Sequence, residues 1–304
     1  MGLEQPTYPD IQVEAYLRRI AYTPAATDGR SLVEHLRQRV QSDPLGTLTE
    51  LQRHHLATIP WGNSGLHYSQ HHTISLHPDN LYEKIVERRL DGYCMESTGI
   101  FFIVLRSLGY CVYATGGRVS YAVATGVDNG LWLSFQVDVG FGNNCATAPL
   151  PLQEGATATC NAPSEMRLIK DSLVEFTDKS QKVWIYQTRN NPESPWIPNI
   201  CFSEVEFLPV DFGVLNFAVS KMPASWFVQT FVCMRMILDP TGKEIIGQCI
   251  MSGREVKQRI GGQTEVLQVL QTEEDRIKAL AKYFDMHLRT GEIEGIRGLP
   301  SQIK

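Results

Sequence analysis

The chain has 304 residues, 43% hydrophobic and 20% charged, the make-up of a folded globular protein rather than a disordered or fibrous one. Lys and Arg (28) against Asp and Glu (33) leave a net charge of -5 with no basic cluster, which argues against nucleic acid or an anionic membrane as partner. No apolar run approaches the roughly 20 residues of a membrane-spanning helix, and acidic residues stand where a leader peptide would be basic and apolar.

Seven cysteines (94, 111, 145, 160, 201, 233 and 249) form no C-x-x-C pair. Their odd number reads as free thiols in a reducing, cytoplasmic compartment, with no metal site.

In chain order, Val13, Ala15, Tyr16, Leu17 and Ile20 predict a short amphipathic helix capped by Asp10. Ser31 to Val40 forms a second, with Ser31 and Glu34 as a capping box. Thr49 to Thr58 is a third, stopped by Pro60. Glu96 to Leu108 is a fourth, ended by Gly109. After residue 110 the β-branched and aromatic runs CVYATGGRVSYAV, LWLSFQVDVGFG, VWIYQ and FAVS predict strands. Residues 140–163 are rich in turn formers and read as one long loop. TFVCMRMILD and KEIIGQCIMSGREVKQRI predict strands joined at Asp239-Pro240-Thr241-Gly242, and Glu273 to Leu288 a helix capped by Thr272.

Two segments carry candidate chemistry. In Leu90-Asp91-Gly92-Tyr93-Cys94-Met95-Glu96, a tight turn at Gly92 delivers a thiol to a helix start. There the helix dipole lowers a thiol pKa, and free N–H groups can hold an oxyanion. The alternative for Cys94 is a buried small hydrophobe. The other six cysteines read as packing residues. In Val137-Asp138-Val139-Gly140-Phe141-Gly142, a strand-ending Asp precedes a glycine-flanked aromatic, an arrangement able to orient an imidazole.

Together these segments resemble the arylamine N-acetyltransferase family, with the flavour of its fungal branch. The resemblance extends to LQRHHLATIPWGNSGLHYS, EKIVERRLDGYCME, LPVDFGVLNFAVSKMPASWFVQTFVCMR and EDRIKALAKYFDMHL, in the family's order. It implies a multi-domain α+β protein: a helical domain (1–110), a β-barrel domain (111–210), and an inter-domain helix with an α/β lid (211–304). A papain-like cysteine site would lie between the first two. By position, Cys94 is then the nucleophile and Asp138 the carboxylate orienting a histidine. Phe141 would line the acceptor pocket, and Gly140, Gly142 and the following loop would approach coenzyme A. The donor would be acetyl-CoA or malonyl-CoA, with no permanently bound cofactor. The acceptor would be an arylamine, hydrazine or related aromatic amine, and the kinetics ping-pong.

The sequence departs from the family at the general base. No histidine lies between His77 and His287, so none precedes Asp138 in the adjoining strand. The Leu133–Val137 stretch reads as if a histidine strand had been cut out between Phe135 and Gln136. Such a loss leaves a strand unpaired and activity impaired. The alternative is a non-catalytic paralogue, or a mis-spliced product, that keeps the fold. The family's box arginine is Leu90 here, the glutamate of its earlier turn is Gly62, and Asp91 replaces a glycine, with strain expected in the turn. His67, His71 and His72 are expected in an exposed loop, and Glu96 is no substitute base.

Overall fold

The computed structural model of the protein describes residues 5–22, 29–117, 120–128 and 131–304; Arg118 and Val119, inside the first expected strand run, lie outside them. Helix α1 (Asp10–Arg19) follows Pro9, and Asp10 sits in its first turn, paired with Arg37 rather than capping. In α2 (Leu32–Ser42) the capping box forms as expected: Ser31 Oγ accepts the Glu34 N–H at 3.2 Å, and the Glu34 carboxylate accepts the Ser31 N–H at 3.1 Å. Helix α3 (Pro44–Thr58) begins ahead of the expected Thr49, because Asp43 caps the Gly46 N–H and Pro44 suits the first turn.

A short strand β1 (Trp61–Gly62) leads into α4 (Ser64–His67), α5 (Pro78–Tyr82) and a π-helical turn (Glu83–Glu87). Helix α6 runs Cys94–Ser107. It opens at the cysteine rather than at Glu96, because the Glu96 carboxylate reaches back to accept the Tyr93 N–H at 3.0 Å.

Strands β2 (Cys111–Gly117), β3 (Ser120–Asp128) and β4 (Leu131–Val137) form an antiparallel meander. The expected long loop contains two short strands, β5 (Leu150–Pro151) and β6 (Thr157–Thr159), before β7 (Glu165–Asp171), β8 (Val183–Arg189) and β9 (Ile197–Glu206). Their order is β5-β4-β3-β2-β9-β8-β7-β6. Strands β5 and β6 are at opposite edges yet joined by only residues 152–156, so the sheet curls into a half-barrel. Met166, Leu168, Trp184, Tyr186 and Phe202 fill its core.

The unpaired strand expected at Phe135 and Gln136 is not found. Phe135 pairs with Val123 on one side and Pro151 on the other, and Gln136 with Ala122 and Leu150. A strand hydrogen-bonded on both flanks has no missing neighbour at that point. The register shift falls instead in β3, between Ala124 and Val127.

FAVS, expected as a strand, is the end of α7 (Pro209–Lys221). Pro209 starts that helix and Asp211 accepts the Leu208 N–H at 2.8 Å, so end signals and packing of Leu215 and Val219 override local β-propensity. After α8 (Trp226–Gln229) come β10 (Val232–Leu238), β11 (Ile245–Ser252), β12 (Glu255–Ile260) and β13 (Gln263–Val269), then α9 (Glu273–Phe284) and α10 (Thr290–Glu294). Helix α9 stops short of the expected Leu288, with Asp285 left-handed at φ 55°. The second sheet is β1-β10-β11-β12-β13, so Trp61–Gly62 from the helical third forms its edge. Among the described residues no helix is long and apolar enough to cross a membrane.

Candidate active site

Two turns meet at Cys94. The Gly92 N–H donates to the Pro60 carbonyl at 3.1 Å, and the Gly62 N–H to the Gly92 carbonyl at 3.2 Å. Ser97 Oγ donates to that same Gly92 carbonyl at 2.8 Å. A side chain at Gly92 would crowd Ser97 and Ile85, which explains glycine there. The strain expected at Asp91 is absent. Its buried carboxylate accepts the Ser64 N–H at 2.9 Å and the Ser64 hydroxyl, in space left free because residue 62 has no Cβ. Gly62 and Asp91 are therefore complementary. Leu90, in place of the family's arginine, packs into the apolar cluster with Phe231 and Leu280.

The Cys94 sulfur sits at the first residue of α6, buried. Burial pushes its thiol up to about 12; the Met95 N–H acts against this, and the charges of Asp138 and Glu96 add to it. Helix-end stabilisation of about 0.3–1 kcal/mol is too small to reverse that. At neutral pH the resting group is a thiol.

Asp138 directly follows the last residue of β4 and is buried. Its Oδ1 accepts the Gly140 N–H at 2.7 Å, whereas Oδ2 is buried with no hydrogen-bond partner. Burial pushes this carboxyl up to about 7, against the Gly140 and Phe141 N–H groups. Gln52 on α3 donates to the Asp138 carbonyl at 3.0 Å and to the Ala146 carbonyl at 2.8 Å; Trp61 Nε1 donates to the Gly140 carbonyl at 2.7 Å. These bonds draw the Asp138 loop onto the start of α6. A Cβ at Gly140 would overlap the Cys94 carbonyl and Thr98 Oγ1, so the two candidate segments abut. Gly142, at φ +79°, leaves room for the Trp61 ring. Both glycines thus make way for protein atoms. Phe141 packs between the helical core and the half-barrel core. Gln136, two residues before Asp138 and so on the same strand face, is buried with neither amide atom paired.

The histidines differ from expectation. His67 is fully buried rather than on an exposed loop. Its Nε2 lies 2.9 Å from the Phe227 carbonyl and its Nδ1 2.7 Å from Ser301 Oγ, and burial pushes it down to about 4. Tertiary contacts with α8 and the C-terminal residues claim it. His71 is exposed, and His72 turns its ring to the Leu66 carbonyl. His55, buried against Tyr16 and Phe101, is pushed down to about 3. Among the described residues no histidine hydrogen-bonds to Cys94 or Asp138.

Sequence reasoning missed Gln52 and Trp61. Only Gln52 left a trace, as an amide on the same helix face as Leu48 and Leu51.

A family model described as N-acetyltransferase matches residues 44–293. An N-malonyltransferase FDB2 from Fusarium pseudograminearum is 33% identical over 318 aligned positions, covering 96% of this chain and 93% of the relative. That alignment is longer than the 304 residues here, so the relative carries residues that this chain lacks. The N-malonyltransferase FDB2 of Gibberella moniliformis is 36% identical over 280 positions, 84% of this chain and 81% of the relative. Among solved structures, the Mycobacterium marinum arylamine N-acetyltransferase in complex with CoA has the same fold, with a TM-score of 0.73 at 24% identity over 94% of this chain and 99% of that one. The stitched turns, the cysteine opening α6, the abutting Asp138 loop and these likenesses converge: the chain belongs to the arylamine N-acetyltransferase family.

Proposed function

We propose that the protein is a slow acyl-CoA-dependent N-acyltransferase whose nucleophile is Cys94, working without a histidine base. We keep the division into 1–110, 111–210 and 211–304 as part of this reading. The Cys94 sulfur attacks the thioester carbonyl, the bond to coenzyme A breaks, and coenzyme A leaves as its thiol. The amine then attacks the acyl-Cys94 thioester, forming the amide, losing a proton and returning the cysteine thiol. The observation that carries this reading is the seating of the Asp138–Gly140 loop on the Cys94 carbonyl. The buried, unpartnered Asp138 Oδ2 supports a site lacking the N–H donor that orients a base. Neutral Cys94 supports low turnover, since loss of one triad member typically costs about 10⁴–10⁶-fold in rate.

The relatives' names favour a malonyl donor over acetyl. An aromatic amine, hydrazine or heterocycle is the acceptor, with Phe141 lining its pocket and the backbone of Gly140 and Gly142 toward coenzyme A. The free cysteines support a reducing, cytoplasmic setting.

Intact-protein mass spectrometry after incubation with malonyl-CoA or acetyl-CoA tests this. A single acyl adduct mapped to Cys94 and lost in Cys94→Ala is expected, larger with malonyl-CoA. No adduct from either donor, with coenzyme A still binding, makes the chain a non-catalytic member of the family.

A further inference from the structure

Beneath the nucleophile's turn lies a buried ion cluster with no part in the chemistry above. Lys84 belongs to the π-helical turn, a geometry common at functional sites. Its ammonium donates to both Glu96 oxygens, at 2.7 and 2.8 Å, and lies 3.8 Å from Asp91 Oδ1. Side-chain exposure is 17% for Lys84, 2% for Glu96 and 0% for Asp91. Glu96 holds the Tyr93 N–H, at the residue before Cys94. Asp91 holds Ser64 on the neighbouring turn and has those two bonds to keep it in place. Glu96 has one backbone bond besides the ammonium, so its charge depends on Lys84.

We propose that Lys84 is a positioning residue for Cys94: it keeps Glu96 ionised, so that this carboxylate fixes the Tyr93–Cys94 peptide and aims the sulfur and the first α6 N–H groups at the acyl donor. This rests on the reading of Cys94 as nucleophile. Without the ammonium, a buried carboxylate at Glu96 faces Asp91 alone and takes up a proton. The cap on Tyr93 then weakens at the residue next to the sulfur. Other charged or titratable groups face the cluster. His67 and Cys233 face Asp91, and Tyr93 and Cys94 face Glu96. Glu83 and the Arg88–Glu292 pair border the outer cavity of about 230 Å3.

The test follows iodoacetamide labelling of Cys94 against pH, by peptide mass spectrometry, with thermal melts alongside. Lys84→Met should slow labelling about tenfold and add a titration step between about pH 5 and 8, where a buried carboxyl now protonates. Adding Glu96→Gln to Lys84→Met should restore most of the rate, because the carboxylate that needs the cation is gone. A Lys84→Met profile superimposable on the parent's, whatever its melting temperature, overturns the proposal. So does a double variant as slow as Lys84→Met alone. Should Lys84→Met not fold, the double variant is compared with Glu96→Gln: agreement within about twofold is expected, and a tenfold gap refutes the role. Labelling is independent of turnover. Turnover surviving Cys94→Ala would sink the nucleophile reading without touching this result.

Discussion

Burial holds the Asp138 carboxyl up near neutrality, and that has a signed consequence. The group is raised from the ordinary value of about 4 to about 7, so between those pH values the folded chain holds a proton that the unfolded chain has released. The stabilisation is complete below about pH 4 and is lost as pH rises to 7. Asp138→Asn removes the ionisation, and should raise unfolding free energy by about 2–4 kcal/mol at pH 8, with the gain gone near pH 3.5. Urea denaturation at both pH values measures this; an equal change at both ends would show that ionisation is not the cause. His55 and His67 act with the opposite sign. Held down at about 3 and about 4, they take stability away as pH falls below the ordinary histidine value of about 6.5. At this scale the backbone settings of Cys94 and Asp138 were legible as candidates because glycines and a strand end mark them. Gln52 and Lys84 were not, since nothing local distinguishes an amide or lysine that will be buried from one that will be solvated.

Elements were legible where chain-local chemistry sets their ends. The Ser31–Glu34 box, the Thr272 cap and Gly109 all sit where expected, because each satisfies backbone groups within a few residues. Strand pairing is not local. Phe135 and Gln136 looked like a scar in one dimension, yet they pair on both flanks once β3 and β5 are in place. An insertion between them breaks two ladders and should lower the melting temperature. The same insertion between Ala124 and Val127, where the register already shifts, should be tolerated better. A hairpin restoring a histidine therefore belongs in β3. Equal losses at the two sites, read by thermal melts, would reject this placement. FAVS teaches the same lesson in reverse, its β-branched texture yielding to Pro209, Asp211 and the surface beneath α7.

Across the whole molecule, the last residues tie α9 to α4. Ser301 meets His67, its carbonyl accepts from buried Arg276 at 2.7 Å, and the Ile303 N–H donates to Glu273 at 3.0 Å. Deleting residues 301–304 leaves the Arg276 guanidinium and His67 underpaired in the interior, and should cost about 2–4 kcal/mol. Urea denaturation checks it; an unchanged midpoint would mean that these bonds hold nothing. The sequence by itself carried the family resemblance and the mixed architecture, marked Cys94 and Asp138 as candidates, and showed that no histidine precedes Asp138 in the adjoining strand. The resemblance rests on the order of motif segments, and the rest on periodicity and backbone-dictated glycines, all properties of short stretches of chain. Tertiary structure alone decided that β1 joins the C-terminal sheet, that His67 is buried and neutral, that Gly62 makes room for Asp91, and that Asp138 Oδ2 has no partner. Each depends on what a distant segment places against a group, and burial and pairing are properties of that neighbourhood rather than of the residue.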